Sequence, residues 1–245
     1  IVKYVEFTGK ATHSGATPYL GVNALNAAMF SLSAIHAIRE TFREKDVVRS
    51  HGVMTNGGEA VNAVPDNVIL EWRIRSGNSD ALLENSAKID RCFKAGALAL
   101  GAKVEITNVP GYMPMRNNMK LQELFHDNAV SIVGEDNIRV RRPNRNGGGS
   151  TDMGDLSHFI PVIHPYSGGA TGVGHASNYV VEDYEQAVIN PAKIIAMTVI
   201  DLLSDGAIQA REIDEDQGHK KTKEQYVDLQ RRKAKLDIFD GNDKD

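Results

Sequence analysis

Three short stretches of the sequence contain residue types that could bind or transform a small molecule. The first, GKATHSGATPYLGVNA at 9–24, places His13 between small residues, just after a segment with a strand pattern. An imidazole in such a loop can reach outward and donate a hydrogen bond to an oxygen that gains negative charge during a reaction. A loop histidine that only faces solvent has the same local pattern, so the sequence around His13 leaves both interpretations open.

The second stretch, NAVPDNVILEWRIR, begins with Asn62 and ends with Arg75. An amide and a guanidinium near the end of a sheet could hold a substrate carboxylate, because a guanidinium binds carboxylates in a bidentate manner. Their spacing does not place them on one face of a strand, but Asn62 lies in the turn before the strand. Taken alone, Arg75 is more often a surface arginine.

The third stretch is the glycine-rich segment GGATGVGHASNY at 168–179. Gly172 and Gly174 permit tight turns whose N–H groups can bind an anion, and we predict that both contact the substrate. His175 follows them as a candidate metal ligand. A nucleotide-binding P-loop is excluded, because His175 and Ala176 replace the lysine and hydroxyl residue that it requires. A metal site needs three or four ligands, and no HxxxH, HxH or HxD pattern supplies them locally.

Hydrophobic periodicity predicts the elements that must position these residues. The strands are predicted at 1–11, 51–58, 66–76 and 102–109, and the helices at 21–42 and 78–100. Asn23 is the predicted N-cap of the first helix, and Gly101 ends the second. The order β-α-β-β-α-β predicts a two-layer α+β unit over 1–112, in which two helices cover one face of a four-stranded antiparallel sheet.

The remaining sequence predicts a different organisation. Residues 113–206 include the apolar run FIPVIHPY, predicted as a buried strand, and a long apolar helix, which together form a partial α/β domain. This domain has too few strands for a complete sheet of its own. Residues 207–245 are highly charged, and we predict a helical tail that packs weakly on the body. The fold class is therefore α/β, with a two-layer α+β unit at its start.

Bulk composition excludes several classes of protein. The chain has 245 residues, a net charge of −4 and one cysteine, Cys92. This charge does not indicate nucleic acid or an anionic membrane as a partner, and apolar runs such as IIAMTVI are too short to span a bilayer. The single cysteine excludes an internal disulfide and a cysteine-based metal site. It fits a reducing cytosol, so we favour a cytoplasmic location.

Taken together, the motifs resemble one known family. GKATHSGATPYLGVNALNAA resembles the start of the lid, or dimerisation, domain in the metal-dependent aminoacylase and carboxypeptidase G superfamily of amidohydrolases and peptidases. GGEAVNAVPDNVILEWRIR resembles the Asn-Val-Val-Pro and terminal arginine stretch of that lid. GGGSTDMGDLSHFIPVIHPY and GHASNY resemble the C-terminal stretches of its p-aminobenzoyl-glutamate hydrolase-like branch. The resemblance extends over residues 1 to 206.

The resemblance implies a role for each candidate residue. His13 matches the lid histidine that, in a homodimer, reaches the active site of the partner and stabilises the oxyanion. Asn62 matches an asparagine that contacts substrate, Arg75 an arginine that binds its carboxylate, and His175 a metal-binding histidine. The implied reaction is hydrolysis of the amide bond of N-acyl amino acids or dipeptides, such as an aminobenzoyl-glutamate-like substrate, by a metal-activated water.

One departure from the family is large. Its enzymes carry the first half of the catalytic domain before the lid, with a His-x-Asp, a bridging Asp and a Glu pair that bind most of two divalent metal ions, zinc or manganese. None of these motifs precedes the lid here, and the chain opens on the strand pattern IVKYVEFTG. We therefore expect the C-terminal portion of such an enzyme, inactive alone, whose N-terminal catalytic half is missing or lies on another chain.

A non-catalytic function fits the same residues. A dimeric module that binds a small carboxylate through Asn62 and Arg75 would need no metal ligands. Binding of a carboxylate without metal would favour this module, whereas metal-dependent amide hydrolysis would favour the enzyme. A nucleotide-binding protein is a remote third alternative, because the sequence has neither the Walker lysine nor GxGxxG.

Overall fold

A computed structural model describes residues 1–140, 151–216, 218 and 220–243. The chain divides into two compact units. The first comprises residues 1–114 together with the segment that begins at Lys223, and the second lies between Met115 and Thr222.

Strands and helices alternate in the first unit, whereas helices dominate the second. The strands are β1 (Val2–Thr8), β2 (Arg49–Asn56), β3 (Asn67–Arg75), β4 (Lys103–Val109), β5 (Ala170–Thr171), β6 (Val180–Val181) and β7 (Lys235–Asp240). The α-helices are α1 (Ala24–Ile38), α2 (Ser79–Leu100), α3 (Met119–Val133), α4 (Met153–Leu156), α5 (Asn190–Leu203), α6 (Ile208–Asp216) and α7 (Lys223–Lys233).

The first unit is a two-layer α+β structure, which confirms the predicted order β-α-β-β-α-β. Its antiparallel sheet has the strand order β2-β3-β1-β4-β7. Helix α1 packs over β1 and β3, and α2 packs over β4 and β7. Alternate residues of β1 face the helices, so that Val5 and Phe7 are fully buried, whereas Tyr4 and Glu6 are exposed on the other face.

Aromatic packing and one close approach between helices hold the two layers together. Phe93 of α2 makes edge-to-face contacts with Phe7 and Trp72, at centroid distances of 6.3 and 6.2 Å. Helices α1 and α2 approach so closely that a Cβ atom at Gly96 would lie 2.0 Å from the hydroxyl of Ser31. A larger residue at Gly96 would therefore force the helices apart.

Both predicted helix caps are confirmed. The side chain of Asn23 accepts a hydrogen bond from the backbone N–H of Asn26 and begins α1. Gly101 ends α2 in the left-handed conformation, with φ of 68°. These local signals position α1 directly after the loop that contains His13.

The charged C-terminal segment differs from its prediction. It contains α6 and α7, but it also contains β7, which pairs with β4 and becomes the fifth strand of the first sheet. The predictions of a four-stranded sheet and of a weakly packed, entirely helical tail are therefore wrong, because the tail supplies a fifth strand. The physical reason is that Phe239 packs against the core and Asp237 forms ion pairs, so a charged segment still docks.

The second unit is held mainly by helix packing. Helix α3 packs against α5, and the side-chain amide of Asn128 donates hydrogen bonds to Asp201 (2.7 Å) and Thr198 (3.3 Å). Residues 161–169 have no regular secondary structure, so the predicted FIPVIHPY strand is wrong. A strand needs a neighbouring strand, and the described residues of this unit pair only as the two-residue hairpin β5–β6.

Candidate functional site

Two loops of the first unit bring His13 and Asn62 together at one end of the sheet. The backbone N–H of Ser14 donates to the carbonyl of Asn62 (2.9 Å), and the N–H of Val64 donates to the carbonyl of Thr12 (2.9 Å). His13 forms an isolated antiparallel bridge with Ala63 between these bonds. The loop after β1 is therefore fixed to the loop before β3.

The imidazole of His13 has a defined orientation. Its Nδ1 atom accepts hydrogen bonds from the backbone N–H groups of Gly15 and Ala16, each at 3.1 Å. An acceptor Nδ1 places the proton of the neutral ring on Nε2. Because His13 is exposed, this Nε2–H group is available to donate to another molecule. The ring can therefore act as a hydrogen-bond donor to an oxyanion.

Two large apolar side chains in these loops are exposed to solvent in the part of the chain that the structure describes. Val61, next to Asn62, is fully exposed, and Tyr19 in the turn before α1 is 80% exposed. The same loops thus carry both the candidate polar groups and exposed apolar side chains.

Arg75 lies at the opposite end of the sheet. It is the last residue of β3, whereas Asn62 and His13 adjoin the first residue, Asn67. The nine residues of β3, from Asn67 to Arg75, span about 26 Å at about 3.3 Å for each step between residues. Within one chain, Arg75 therefore does not reach the same small substrate as His13 and Asn62. A single chain does not form the predicted clamp, in which Asn62 and Arg75 hold one substrate carboxylate together.

Arg75 belongs to a basic area that the sequence analysis missed. It lies directly opposite Arg49 of β2, and the next pair on the same face is His51 opposite Arg73. A carboxylate bound beside this pair can accept hydrogen bonds from guanidinium groups. The alternation of RSH in β2 and RIR in β3 is the sequence signal that could have revealed this area.

Gly172 and His175 lie in the β5–β6 hairpin of the second unit. Gly172 has φ of 83°, and a Cβ atom there would lie 2.1 Å from the carbonyl oxygen of Asn178, so the position requires glycine. Gly174 faces open space. His175 is exposed and has φ of 68°, an uncommon conformation for a side-chain-bearing residue. The hairpin therefore presents an imidazole at its tip.

The described residues do not by themselves form a metal site. Across the described ranges, no group of three or more His, Cys, Asp or Glu side chains is arranged to hold a metal ion. A zinc site requires at least three protein ligands, and His175 offers one. His175 fits as a single ligand only, so any further ligands would have to come from elsewhere.

Comparison with known proteins identifies the first unit. The family of peptidase dimerisation domains of the M20 type matches residues 4–99. Residues 4–99 are an M20 dimerisation domain. The lid resemblance inferred from the motifs around His13 and Asn62 is thereby confirmed, and the fold class with it.

Relatives extend the similarity beyond the M20 dimerisation domain. Xaa-Arg dipeptidase of Mus musculus is 32% identical over 209 residues, which are 81% of this chain and 47% of the dipeptidase. A p-aminobenzoyl-glutamate hydrolase homolog of Haemophilus influenzae is 25% identical over 50% of this chain and 29% of that protein. The chain thus spans about half the length, or less, of these relatives. They belong to a peptidase and amidohydrolase family that is generally metal-dependent.

A solved structure agrees with this fold. Aminopeptidase PepT of Bacillus cereus superposes with a TM-score of 0.59 at 22% identity, over 81% of this chain and 50% of that chain. At this identity the similarity supports the fold alone. It extends beyond the M20 dimerisation domain into the second unit, as expected for a continuous two-unit chain.

One helical stretch bears on the prediction that no membrane is involved. Within the described ranges, the length and composition of Glu185–Leu203 would allow it to cross a membrane. Only 11% of its most apolar 18-residue stretch is buried inside the structure. The run IIAMTVI, on which the membrane prediction rested, is only part of this longer stretch. The absence of a membrane partner stays a prediction.

Proposed function

We propose that this chain is the lid and C-terminal part of a metal-dependent amidohydrolase that cleaves the amide bond of dipeptides or N-acyl amino acids. The observation that carries the proposal is the orientation of His13. Its Nδ1 is occupied by two backbone N–H groups, so Nε2–H points outward beside Asn62 on an M20 dimerisation domain. The dipeptidase and hydrolase relatives support amide hydrolysis.

The roles of the lid residues follow from their chemistry. When water attacks an amide carbonyl, its oxygen gains negative charge, and the Nε2–H of His13 donates to it. The side chain of Asn62, exposed next to His13, hydrogen-bonds the substrate. In the complete enzyme, His175 would hold one of two divalent ions, zinc or manganese, with the other ligands supplied from outside the described residues.

We propose that the complete site combines residues of two protomers. The outer edge of β2 has no strand partner among the described strands, and Met29 and Phe30 of α1 are 54% and 51% exposed. Pairing of two β2 strands about a two-fold axis would be antiparallel and would bury apolar surface. The His13 end of one lid would then lie level with the Arg75 end of its partner.

This arrangement accounts for the separation of His13 and Arg75 in one chain. Arg75, in the basic area with Arg49 and Arg73, binds the substrate carboxylate. His13 and Asn62 of the other protomer then approach the scissile amide of that substrate. The homodimer is therefore required for activity, and each site draws on both lids.

The second unit supports association with a further α/β half. Helix α5 exposes Ile195, Val199, Ile200 and Leu203, and the apolar run at 161–166 has no neighbouring strand among the described residues. A parallel strand beside that run and a layer over α5 would cover both, as in α/β domains. We propose the N-terminal catalytic half as this partner. If the isolated chain floats with liposomes, and addition of the N-terminal half does not reduce this binding, a membrane would be the favoured partner instead.

Two substrate types test the proposal. The complete protein, loaded with zinc or manganese, is assayed on a dipeptide that ends in arginine and on p-aminobenzoyl-glutamate. Hydrolysis of either, lost on chelation and restored by metal, supports the amidohydrolase. Because the longer and more identical match is to a dipeptidase, we expect the dipeptide to be the better substrate. If the metal-bound protein hydrolyses neither substrate, the proposed amidohydrolase function is contradicted.

A second candidate function is a non-catalytic dimeric module that binds small carboxylates. The observation that favours it is the basic area of Arg49, Arg73 and Arg75 in a chain whose described residues hold no metal cluster. Calorimetric titration of metal-free chain with a free dipeptide distinguishes the two functions. Tight binding without metal, together with no hydrolysis by the complete protein, would favour the module.

A further inference from the structure

We propose that β7 is a built-in cap that closes the β4 edge of the sheet and so directs self-association to the β2 edge. The observation behind this inference is the fifth strand, which neither the dimerisation-domain match at 4–99 nor the proposed reaction includes. This role of β7 rests on the dimer proposed above and not on catalytic activity, because it concerns which surface of the lid binds a second copy of the chain.

The cap is anchored by specific contacts to the sheet. Six residues of β7 pair with β4, from Lys235 opposite Asn108 to Asp240 opposite Lys103. Phe239 lies opposite Val104, whose side chain is completely buried, and packs against the hydrophobic core. Docking of β7 therefore buries apolar surface in addition to forming backbone hydrogen bonds.

Contacts to α2 and to its C-terminal turn hold the middle and the C-terminal end of the cap. Asp237 accepts from Lys94 of α2 at 2.9 Å. The backbone N–H of Gly241 donates to the carbonyl of Ala102 (2.9 Å), and the side-chain amide of Asn242 donates to the carbonyl of Gly101. A Cβ atom at Gly241 would lie 2.4 Å from the carbonyl oxygen of Ala97, so this turn requires glycine.

Without the cap, β4 would present an edge suited to pairing with another chain. Its sequence, KVEITNV, is rich in β-branched residues, contains no proline and has one residue of each charge. Open, regular and apolar edges of this kind template association with other strands. In a protein that self-associates, such an edge would compete with the β2 edge.

The cap replaces that edge with a protected one. The side chains of Lys235 and Asp237 point toward the helix layer and pair with each other at 2.8 Å. Charges that point inward from an edge strand disfavour addition of a further strand, because the newcomer would have to bury them. The sheet is thereby left with β2 as its open edge among the described strands.

The test compares two full-length variants by light scattering coupled to size-exclusion chromatography. Phe239→Asp introduces a charge against the core and should release β7, whereas Leu236→Asp alters an exposed position on the same strand. We expect the weight-average mass of Phe239→Asp to be at least twice that of the natural chain, because each protomer then has a second open edge, and the mass of Leu236→Asp to be unchanged. An unchanged mass for folded Phe239→Asp would overturn the proposal.

A peptide in trans provides a second measurement that does not depend on that variant. A chain that ends at Ala234 lacks β7, and a synthetic peptide of residues 234–243 should bind it and restore the mass of the full-length protein. The same peptide with Phe239→Asp should not. If the truncated chain keeps the full-length mass and binds neither peptide, the cap has no role in assembly. A monomeric full-length protein would contradict the β2 dimer and with it the direction of self-association to β2, and a rise in mass on release of β7 would then support only the closure of the β4 edge.

Discussion

His13 and Arg75 lie at opposite ends of one antiparallel sheet. His13 bridges to Ala63 in the loop before β3, and Arg75 is the last residue of that strand, which is about 26 Å long. A dipeptide is much shorter than this distance. If both residues act on one substrate, they must therefore come from different protomers.

Replacement of His13 should impair turnover more than substrate binding. In the complete enzyme, we expect His13→Ala to lower kcat by about 100- to 1,000-fold with little change in KM, the effect of removing one oxyanion donor. Steady-state kinetics measures both constants. His126→Ala, which changes a histidine of α3 outside the site, serves as the control. An unchanged kcat for His13→Ala would remove this residue from the mechanism.

Replacement of Arg75 should impair recognition of the substrate carboxylate. We expect Arg75→Met to raise KM by about 10- to 100-fold, the value of a charge-assisted hydrogen bond, for a substrate with a free carboxylate. The corresponding substrate amide should show no such increase. Arg91→Met, at an exposed position on α2, is the matched control. Equal losses on both substrates would indicate that Arg75 has a structural role.

The buried ammonium of Lys3 should stabilise the fold only as part of its network. Its Nζ atom is completely buried and donates to Ser86 (2.8 Å), Asp90 (2.6 Å) and Asn108 (2.9 Å). We expect Lys3→Met to lower the free energy of unfolding by about 3–5 kcal/mol, because it leaves the Asp90 carboxylate without its partner.

The double variant separates the ion pair from simple packing. Lys3→Met combined with Asp90→Leu should recover most of that loss, since a buried ion pair can be replaced by apolar residues at little cost. Urea unfolding of the single and double variants measures the difference. Additive losses in the double variant would contradict the network as described.

Asp237 should make the first unit sensitive to acid. Burial opposes ionisation of this carboxyl, but hydrogen bonds from Lys235 and Lys94 outweigh it and hold the pKa of Asp237 below its ordinary value of 3.8. The unfolded chain therefore binds more protons than the folded chain between the lowered pKa and 3.8. The stabilisation is present above 3.8 and is lost as the pH falls through the lowered value.

Asp237→Asn isolates this contribution. At pH 6 we expect the variant to be less stable than the natural chain by about 1–2 kcal/mol, because the amide cannot form the ion pairs. The difference should shrink below pH 3.8 and vanish in more acidic solution. Urea unfolding across this range measures it. A difference that is constant with pH would show that ionisation of Asp237 does not stabilise the fold.

The sequence predicted the lid well because its signals are local. The apolar spacing along α1, the Asn23 cap and the Gly101 terminus each depend on a few neighbouring residues, and all three are confirmed. The motifs around His13 and Asn62 predicted the dimerisation domain for the same reason. In each case the information lies within one helix, one turn or one strand.

The failures come from contacts between distant segments. β7 pairs with a strand more than 120 residues earlier, and its charged residues Lys235 and Asp237 made it resemble a solvated helix. The run FIPVIHPY at 159–166 was predicted as a strand, but strands require neighbouring strands that the described residues of this unit do not provide. Linear motifs also could not reveal that Arg75 and His13 lie too far apart to share a substrate within one chain.

Complementation between two impaired variants, assayed at a substrate concentration far below the natural KM, tests the composite site most directly. His13→Ala and Arg75→Met are prepared separately in the complete enzyme, then mixed under conditions that exchange protomers. In a mixed dimer, one site would combine the intact His13 of one protomer with the intact Arg75 of the other. We predict recovery to about one quarter of the natural activity, since half of the dimers are mixed and half of their sites are intact. No recovery, with exchange verified by mass spectrometry, would mean that both residues act within one protomer and would contradict the shared site.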